Sequence, residues 1–206
     1  MKNISGWFTY DGTTTMQHEN ISETLTQLFL ETSPSQILEI GTSYGGLTLL
    51  IRDILDKVNL PITTLRSYDV IETNRYWLED RIKNGGNIEL IIKNVFTHSY
   101  FELNNENRDE IVEYIQRPGR TIVMCDGGSK KNEFVILSEH LKSGDIIMAH
   151  DYSPNEEYFN QYIHNKIWNW MEIQDSDIEN SVVKHNLEPF MSDEFKKVVW
   201  VCKRKK

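Results

Sequence analysis

Asp126, Lys130, His150 and Asp151 are the side chains of this sequence best placed to do chemistry. They fall in two short stretches, Asp126-Gly127-Gly128-Ser129-Lys130 and His150-Asp151-Tyr152. Each stretch follows an apolar run that reads as a buried strand, over 120–125 and 145–149. If those strands are neighbours, the side chains converge on one rim. Asp126, His150 and Asp151 could then hold a divalent cation: oxygen ligands suit Mg²⁺, and the imidazole admits Mn²⁺, Fe²⁺ or Zn²⁺ as well. Such a cation would bind a substrate hydroxyl, lower its pKa and orient it. His150 could instead act as a general base, since its unperturbed pKa suits proton abstraction near neutrality. Lys130 or Lys131 could serve as the base only if desolvated; the plainer reading leaves both on the solvated first turn of a helix. Asp151-Tyr152-Ser153-Pro154 also reads as turn chemistry, which gives His150 and Asp151 a structural alternative.

A second constellation lies upstream, in Glu39-Ile40-Gly41-Thr42-Ser43-Tyr44-Gly45-Gly46. Ile37, Leu38 and Ile40 supply a buried strand, and the run from Leu47 to Leu55 has apolar residues at helical spacing. The tight turn between them needs residues without a Cβ, so that backbone N–H groups can approach a ligand. The helix N-terminus adds a partial positive charge there. An open α/β sheet builds a nucleotide-type site in this way. A phosphate-binding P-loop would need Gly-Lys-Ser/Thr, and Gly45-Gly46-Leu47 has no lysine. A dinucleotide fingerprint would need a second glycine where Ser43 stands.

Periodicity predicts the scaffold that must position these groups. Helices are expected over 19–32, 45–57, 74–84, 106–116, 130–142 and 155–171, and strands over 36–40, 63–69, 88–93, 120–125 and 145–149. Two β-type runs near 181–187 and 196–202 suggest a closing hairpin. Continuous apolar strands alternating with helices imply an α/β fold, a mostly parallel sheet covered on both faces. Ligands bind such sheets at the carboxyl ends of the strands, and Glu39, Asp69, Asp126, His150 and Asp151 all fall there. One domain is expected over 1–206, with an arm and helix over 1–34 and an α/β core over 35–206.

The chain has 206 residues and a net charge of −9, which argues against nucleic acid as a partner. The basic run from Lys203 to Lys206 reads as a solvated tail. Cys125 and Cys202 both sit in apolar runs without metal spacing, as reduced core residues of a cytoplasmic protein. No apolar stretch reaches spanning length, and the start, Met1 to Gly6, lacks a signal-peptide core, so no membrane is expected as a partner.

The segment from Glu39 to Gly46 resembles motif I of the class I S-adenosylmethionine (SAM) methyltransferases. More closely, it resembles that of the cephalosporin hydroxylase/rhamnosyl O-methyltransferase family and of the macrocin O-methyltransferases. The upstream Gly12-Thr13-Thr14-Thr15-Met16-Gln17 resembles the arm before the first helix of those proteins. The resemblance covers roughly residues 6–152. It implies a Rossmann-like class I methyltransferase fold with seven strands, the last antiparallel, and SAM as cofactor with Mg²⁺ or Mn²⁺ beside it. It implies a cofactor site at Glu39, Gly41, Ser43, Tyr44 and Gly45, with Asp69 on the ribose hydroxyls. Asn94, Val95 and Phe96 would hold the adenine, with Asp126 at the edge of the site; Phe96 has core packing as its alternative. The implied metal ligands are Asp126, His150 and Asp151. His150 is a departure, because the family has a second carboxylate there. Ser129 is another, standing where some relatives place a histidine base, while the lysine base of catechol-type enzymes keeps Lys130 in view. The implied activity is O-methyl transfer to a small hydroxylated acceptor, a sugar or glycosylated natural product. The alternative, motivated by His150, is a SAM-binding protein of this fold with lost or changed catalysis. Aromatic residues around Trp7, Phe8 and Tyr10, and from Tyr152 to Trp170, would form a lid over the acceptor or a homo-oligomer interface.

Overall fold

The computed structural model describes residues 7–99 and 102–206; the reading of Met1 to Gly6 lies outside them. A short hairpin, β1 (Phe8–Tyr10) and β2 (Thr13–Thr15), lies in the arm expected before the first helix. It leads to α1 (Ile21–Thr32), which ends with Ser33 in the left-handed region before Pro34. The α/β core follows: β3 (Gln36–Ile40), α2 (Gly46–Lys57), β4 (Thr64–Asp69), α3 (Tyr76–Lys83), β5 (Ile88–Ile92), α4 (Arg108–Gln116), β6 (Thr121–Cys125), α5 (Lys130–Ser138) and β7 (Ile146–Ala149).

The last quarter departs from the sequence reading. The helix expected over 155–171 is only α6 (Glu156–Tyr158), capped by the Asn155 side chain, running into a π-helical turn (Phe159–Ile163). Asn165 then takes a positive φ of 58°, and the chain turns Trp168 inward. Most of the β-type run near 181–187 belongs instead to α7 (Asp175–Lys184), started by a reciprocal capping box between Gln174 and Asp177. The closing strands are β8 (Leu187–Pro189) and β9 (Val201–Lys205), with α8 (Ser192–Lys196) between them.

The seven-stranded sheet runs β5-β4-β3-β6-β7-β9-β8. β3, β4, β5, β6 and β7 are mutually parallel, and β9 is antiparallel to both β7 and β8. The chain builds outward from β3 to β5, then crosses to β6 on the other side. The point between β3 and β6 is therefore the topological switch, where a crevice opens at the strand ends. Side chains alternate between the two faces. Ile37, Ile122, Met124, Ile146 and Met148 pack against α1, α2 and Trp200, while Leu38, Val123, Ile147 and Ala149 pack against α4, α5 and α7. Cys125 and Cys202 are buried free thiols. Among the described residues no helix is long and apolar enough to cross a membrane.

Candidate functional site

The period of two places Glu39, Asp126 and His150 on one face of three adjacent strand ends. Cys125 pairs with both Ile40 and Ala149, so Gly41, Asp126 and His150 leave the sheet side by side. A Cβ on Gly41, which has a φ of 95°, would overlap the carbonyl oxygen of Asp126. A Cβ on Gly46 would overlap Thr15 Oγ1, so that glycine is required by the β1–β2 hairpin lying across the start of α2. Gly45 is the N-cap of α2, and Tyr44 and Ser43 are exposed at the tip of the turn.

Asp69, at the end of β4, ties the turn to its neighbours. Its Oδ2 accepts from the Ser43 backbone N–H (2.7 Å) and pairs with the buried Arg75 guanidinium (2.9 Å), while Oδ1 accepts from Ile71 N–H (2.9 Å). Arg75 also donates to Ser43 O (2.6 Å). A carboxylate oxygen has two lone pairs, so Oδ1 keeps room for one ligand hydroxyl rather than for both hydroxyls of a diol. Beside Asp69 lies a cavity of about 100 Å³ lined by Ile40, Gly41, Tyr68, Asn94, Val95 and Phe96 among others. Asn94 Oδ1 accepts from Phe96 N–H (3.2 Å), which fixes that loop. Phe96 is 2% exposed, so it is a core side chain and a cavity wall at once.

Glu39 lies fully buried under the turn. Its Oε2 accepts from Thr48 (2.6 Å) and Ser67 (2.5 Å), and its Oε1 has no partner. Burial pushes its pKa up to about 7, the two hydroxyls only partly opposing.

At the other end of the crevice, Asp126, His150, Asp151 and Lys130 do converge. His150 Nδ1 stands 3.0 Å from Asp126 Oδ1 and 3.6 Å from Asp151 Oδ1. Its ring is buried between Trp200 and Trp168, each 5.0 Å away, and its Nε2 has no partner. Burial alone would lower the imidazole pKa, but the two carboxylates outweigh it and the net direction is up. Asp151 has a φ of 56°, a conformation that a short polar side chain tolerates. Its Oδ1 accepts from Trp168 Nε1 (2.5 Å). Burial would raise its pKa, but His150, Lys130 and these hydrogen bonds hold it below the usual carboxylate range.

One expectation is corrected here. Lys130 is not on a solvated turn: its side chain is 9% exposed, and Nζ reaches Asp151 Oδ2 (3.0 Å) and Glu172 Oε2 (3.1 Å). It is equally unsuited to be a base, because the surrounding carboxylates outweigh burial and raise its pKa, keeping it an ammonium. Lys131, by contrast, is exposed. The expected metal ligands Asp126, His150 and Asp151 come together around that ammonium, and no three His, Cys, Asp or Glu among the described residues form a group that could hold a metal ion. As they stand, the residues present do not fit a divalent ion.

Sequence reasoning missed Gln17, Arg75, Glu172, Trp168 and Trp200 as parts of this site. Gln17 is 1% exposed; its Nε2 donates to Asp126 Oδ2 (2.6 Å) and its Oε1 accepts from Trp200 Nε1 (2.9 Å). Only the polar arm before α1 hinted at it. Trp7 stacks on Trp170 at 6.3 Å and Trp170 meets Trp168 edge-on at 5.4 Å, so the arm and the later aromatic segment do meet.

No protein-family model matches the chain, and no curated protein matches it in sequence. Solved structures do match in fold. An apo structure of CmcI is 14% identical, with a TM-score of 0.66 over 96% of this chain and 76% of that one. CmcI with Mg-SAM is also 14% identical, with a TM-score of 0.60 over 97% and 76%. An O-methyltransferase family protein from Burkholderia thailandensis is 12% identical, with a TM-score of 0.59 over 91% of this chain and 56% of that one. At such identities the likeness is one of architecture: the chain is built as a Rossmann-like methyltransferase fold, with its crevice at the β3–β6 switch point.

Proposed function

We propose that this protein is a SAM-dependent O-methyltransferase acting on a small hydroxylated acceptor such as a sugar or glycosylated natural product. The observation that carries the reading is the cavity at the switch point, walled by the Gly41 turn, Asp69 and the Asn94–Phe96 loop and reaching Gly127 and Gly128, the residues that follow Asp126. The neighbouring fold of CmcI holds Mg-SAM, which supports SAM as the occupant. The residues fit: Asp69 Oδ1 would take a ribose hydroxyl, Phe96 and Val95 the adenine, and Gly41, Ser43, Tyr44 and Gly45 the amino-acid end, with Glu39 buried beneath the turn rather than in contact with it. When bound, SAM supplies an electrophilic methyl on a sulfonium, whose bond pair stays on sulfur as the acceptor oxygen bonds the carbon.

The chain's own contribution is placement and proton management. His150 takes the acceptor proton on Nε2, the ring nitrogen without a protein partner, a role that requires the Trp168 or Trp200 indole covering it to move aside. Asp126 holds Nδ1, fixing the tautomer and stabilising the imidazolium that forms. Gln17 and Trp200 in turn hold Asp126 and the ring in place. Trp7 and Trp170, each 44% exposed, offer flat apolar faces on which a sugar or phenol could stack.

One observation favours a second reading, a SAM-binding protein without methyl transfer: His150 Nε2 is sealed beneath Trp168 and Trp200. Incubation with methyl-labelled SAM and a panel of hydroxylated sugars and phenolic glycosides separates the two. Label in an ether product, lost in His150→Gln, is the expected result. Saturable SAM binding with no transfer to any acceptor would establish the second reading instead.

A further inference from the structure

We propose that the Lys130 ammonium is the resident cation of this rim, filling the place a divalent metal would take, so that the site neither binds nor needs one. Nζ is ringed by oxygen: Asp151 Oδ2 at 3.0 Å, Glu172 Oε2 at 3.1 Å, Gly127 O at 3.1 Å and Asp126 Oδ1 at 4.0 Å. That is an oxygen shell of the kind a hard cation selects, expanded to hydrogen-bond distance. Mg²⁺ would need oxygens at roughly 2.0–2.1 Å in octahedral array, about 1 Å closer than these stand to Nζ.

The shell is not free to contract. Lys130 is the first residue of α5, so the stem of the cation is fixed to a regular element. Other lone pairs of the carboxylates are already directed elsewhere: Asp126 Oδ2 to Gln17, Asp126 Oδ1 to His150 Nδ1, and Asp151 Oδ1 to Trp168. Asp126, Asp151 and Glu172 face Lys130 and His150, and a dication sharing the same oxygens would sit beside an ammonium. Expelling that ammonium would leave a buried lysine without its partners, which is costly. His150, where a carboxylate would add a further anionic ligand, fits the same arrangement.

The inference concerns the cation alone and is read separately from what the neighbouring cavity binds. The test is titration of the full chain with Mn²⁺, following free Mn²⁺ by electron paramagnetic resonance, on the wild type, Lys130→Ala and Lys130→Arg. The wild type and Lys130→Arg are expected to bind no Mn²⁺ at sub-millimolar concentration. Lys130→Ala, which leaves three carboxylates without a cation, is expected to bind one Mn²⁺ at least about tenfold more tightly than the wild type. A wild-type chain that binds one Mn²⁺ at micromolar concentration would overturn the proposal. So would a folded Lys130→Ala chain that binds no better than wild type. Lys130→Met, which keeps the length of the stem, replaces Lys130→Ala if the smaller side chain prevents folding, and the wild-type arm is decisive alone.

Discussion

Glu39→Gln should make the protein more stable at alkaline pH, and the size of the effect follows from the burial of one carboxyl group. Glu39 is fully buried; two hydroxyls donate to one of its oxygens and no hydrogen-bond donor reaches the other. Burial, with added repulsion from Asp126 and Asp69, raises its pKa from 4.5 to about 7. A carboxyl whose native pKa is raised binds its proton more tightly in the folded chain than in the unfolded one. Its stabilising contribution is therefore full below the unfolded pKa and is lost as pH rises through the folded one. The displacement from 4.5 to about 7 is about 2.5 pH units. At ~1.36 kcal/mol per unit, that is ~3 kcal/mol of stability lost between about pH 4 and pH 8. The glutamine keeps an oxygen for Thr48 and Ser67 and has nothing to ionise. Urea unfolding of both proteins across that range gives the stability difference, in which Glu133, also raised to about 7 by burial, cancels. The difference should move in favour of glutamine by ~3 kcal/mol, worth ~6–12 °C in Tm for a domain of this size. A difference that stays flat from about pH 4 to pH 8 would refute the reasoning, whatever its offset.

Other substitutions probe other parts of the site. His150→Gln should lower turnover by about 10²–10⁴-fold while leaving S-adenosylhomocysteine affinity within about threefold, measured by single-turnover kinetics and calorimetry. Asp151→Asn breaks the buried pair with Lys130 and should cost ~3 kcal/mol in urea unfolding. Trp168→Phe removes the indole N–H from Asp151 Oδ1 and should cost ~1–3 kcal/mol by the same assay. Gly46→Ala places a Cβ against Thr15 Oγ1 and Thr14 O, so it should displace the hairpin and expose its backbone amides to hydrogen exchange.

The α/β core was legible because its signals are local. Strand 36–40 and the strands ending at Cys125 and Ala149 are largely apolar runs with glycine or an acidic residue close behind them, β4 ends at Asp69, and the structure places all four within a residue of expectation. The closing region was not. Val182 and Val183 have strand propensity, yet the Gln174–Asp177 capping box starts a helix that runs through them. Tyr158, Phe159 and Tyr162 have helical spacing, but the helix does not continue to Trp168, whose hydrogen bond to Asp151 draws it into an irregular loop. At the site, strand order alone brought Asp126, His150 and Asp151 together. What local sequence could not convey was who else arrives. Gln17 reaches Asp126 across 109 residues, and Trp200 reaches Gln17 across 183. Lys130 was misread for the same reason: its burial depends on Glu172, which is 42 residues away.

The central claim is that the crevice between β3 and β6 is a SAM site. Calorimetric titration of the wild type and of Asp69→Ala with S-adenosylhomocysteine tests it most directly. The account predicts saturable one-site binding to the wild type, weakened at least about tenfold in Asp69→Ala, with no change on adding Mg²⁺ or Mn²⁺. A folded wild-type chain that gives no binding heat at millimolar S-adenosylhomocysteine would contradict it.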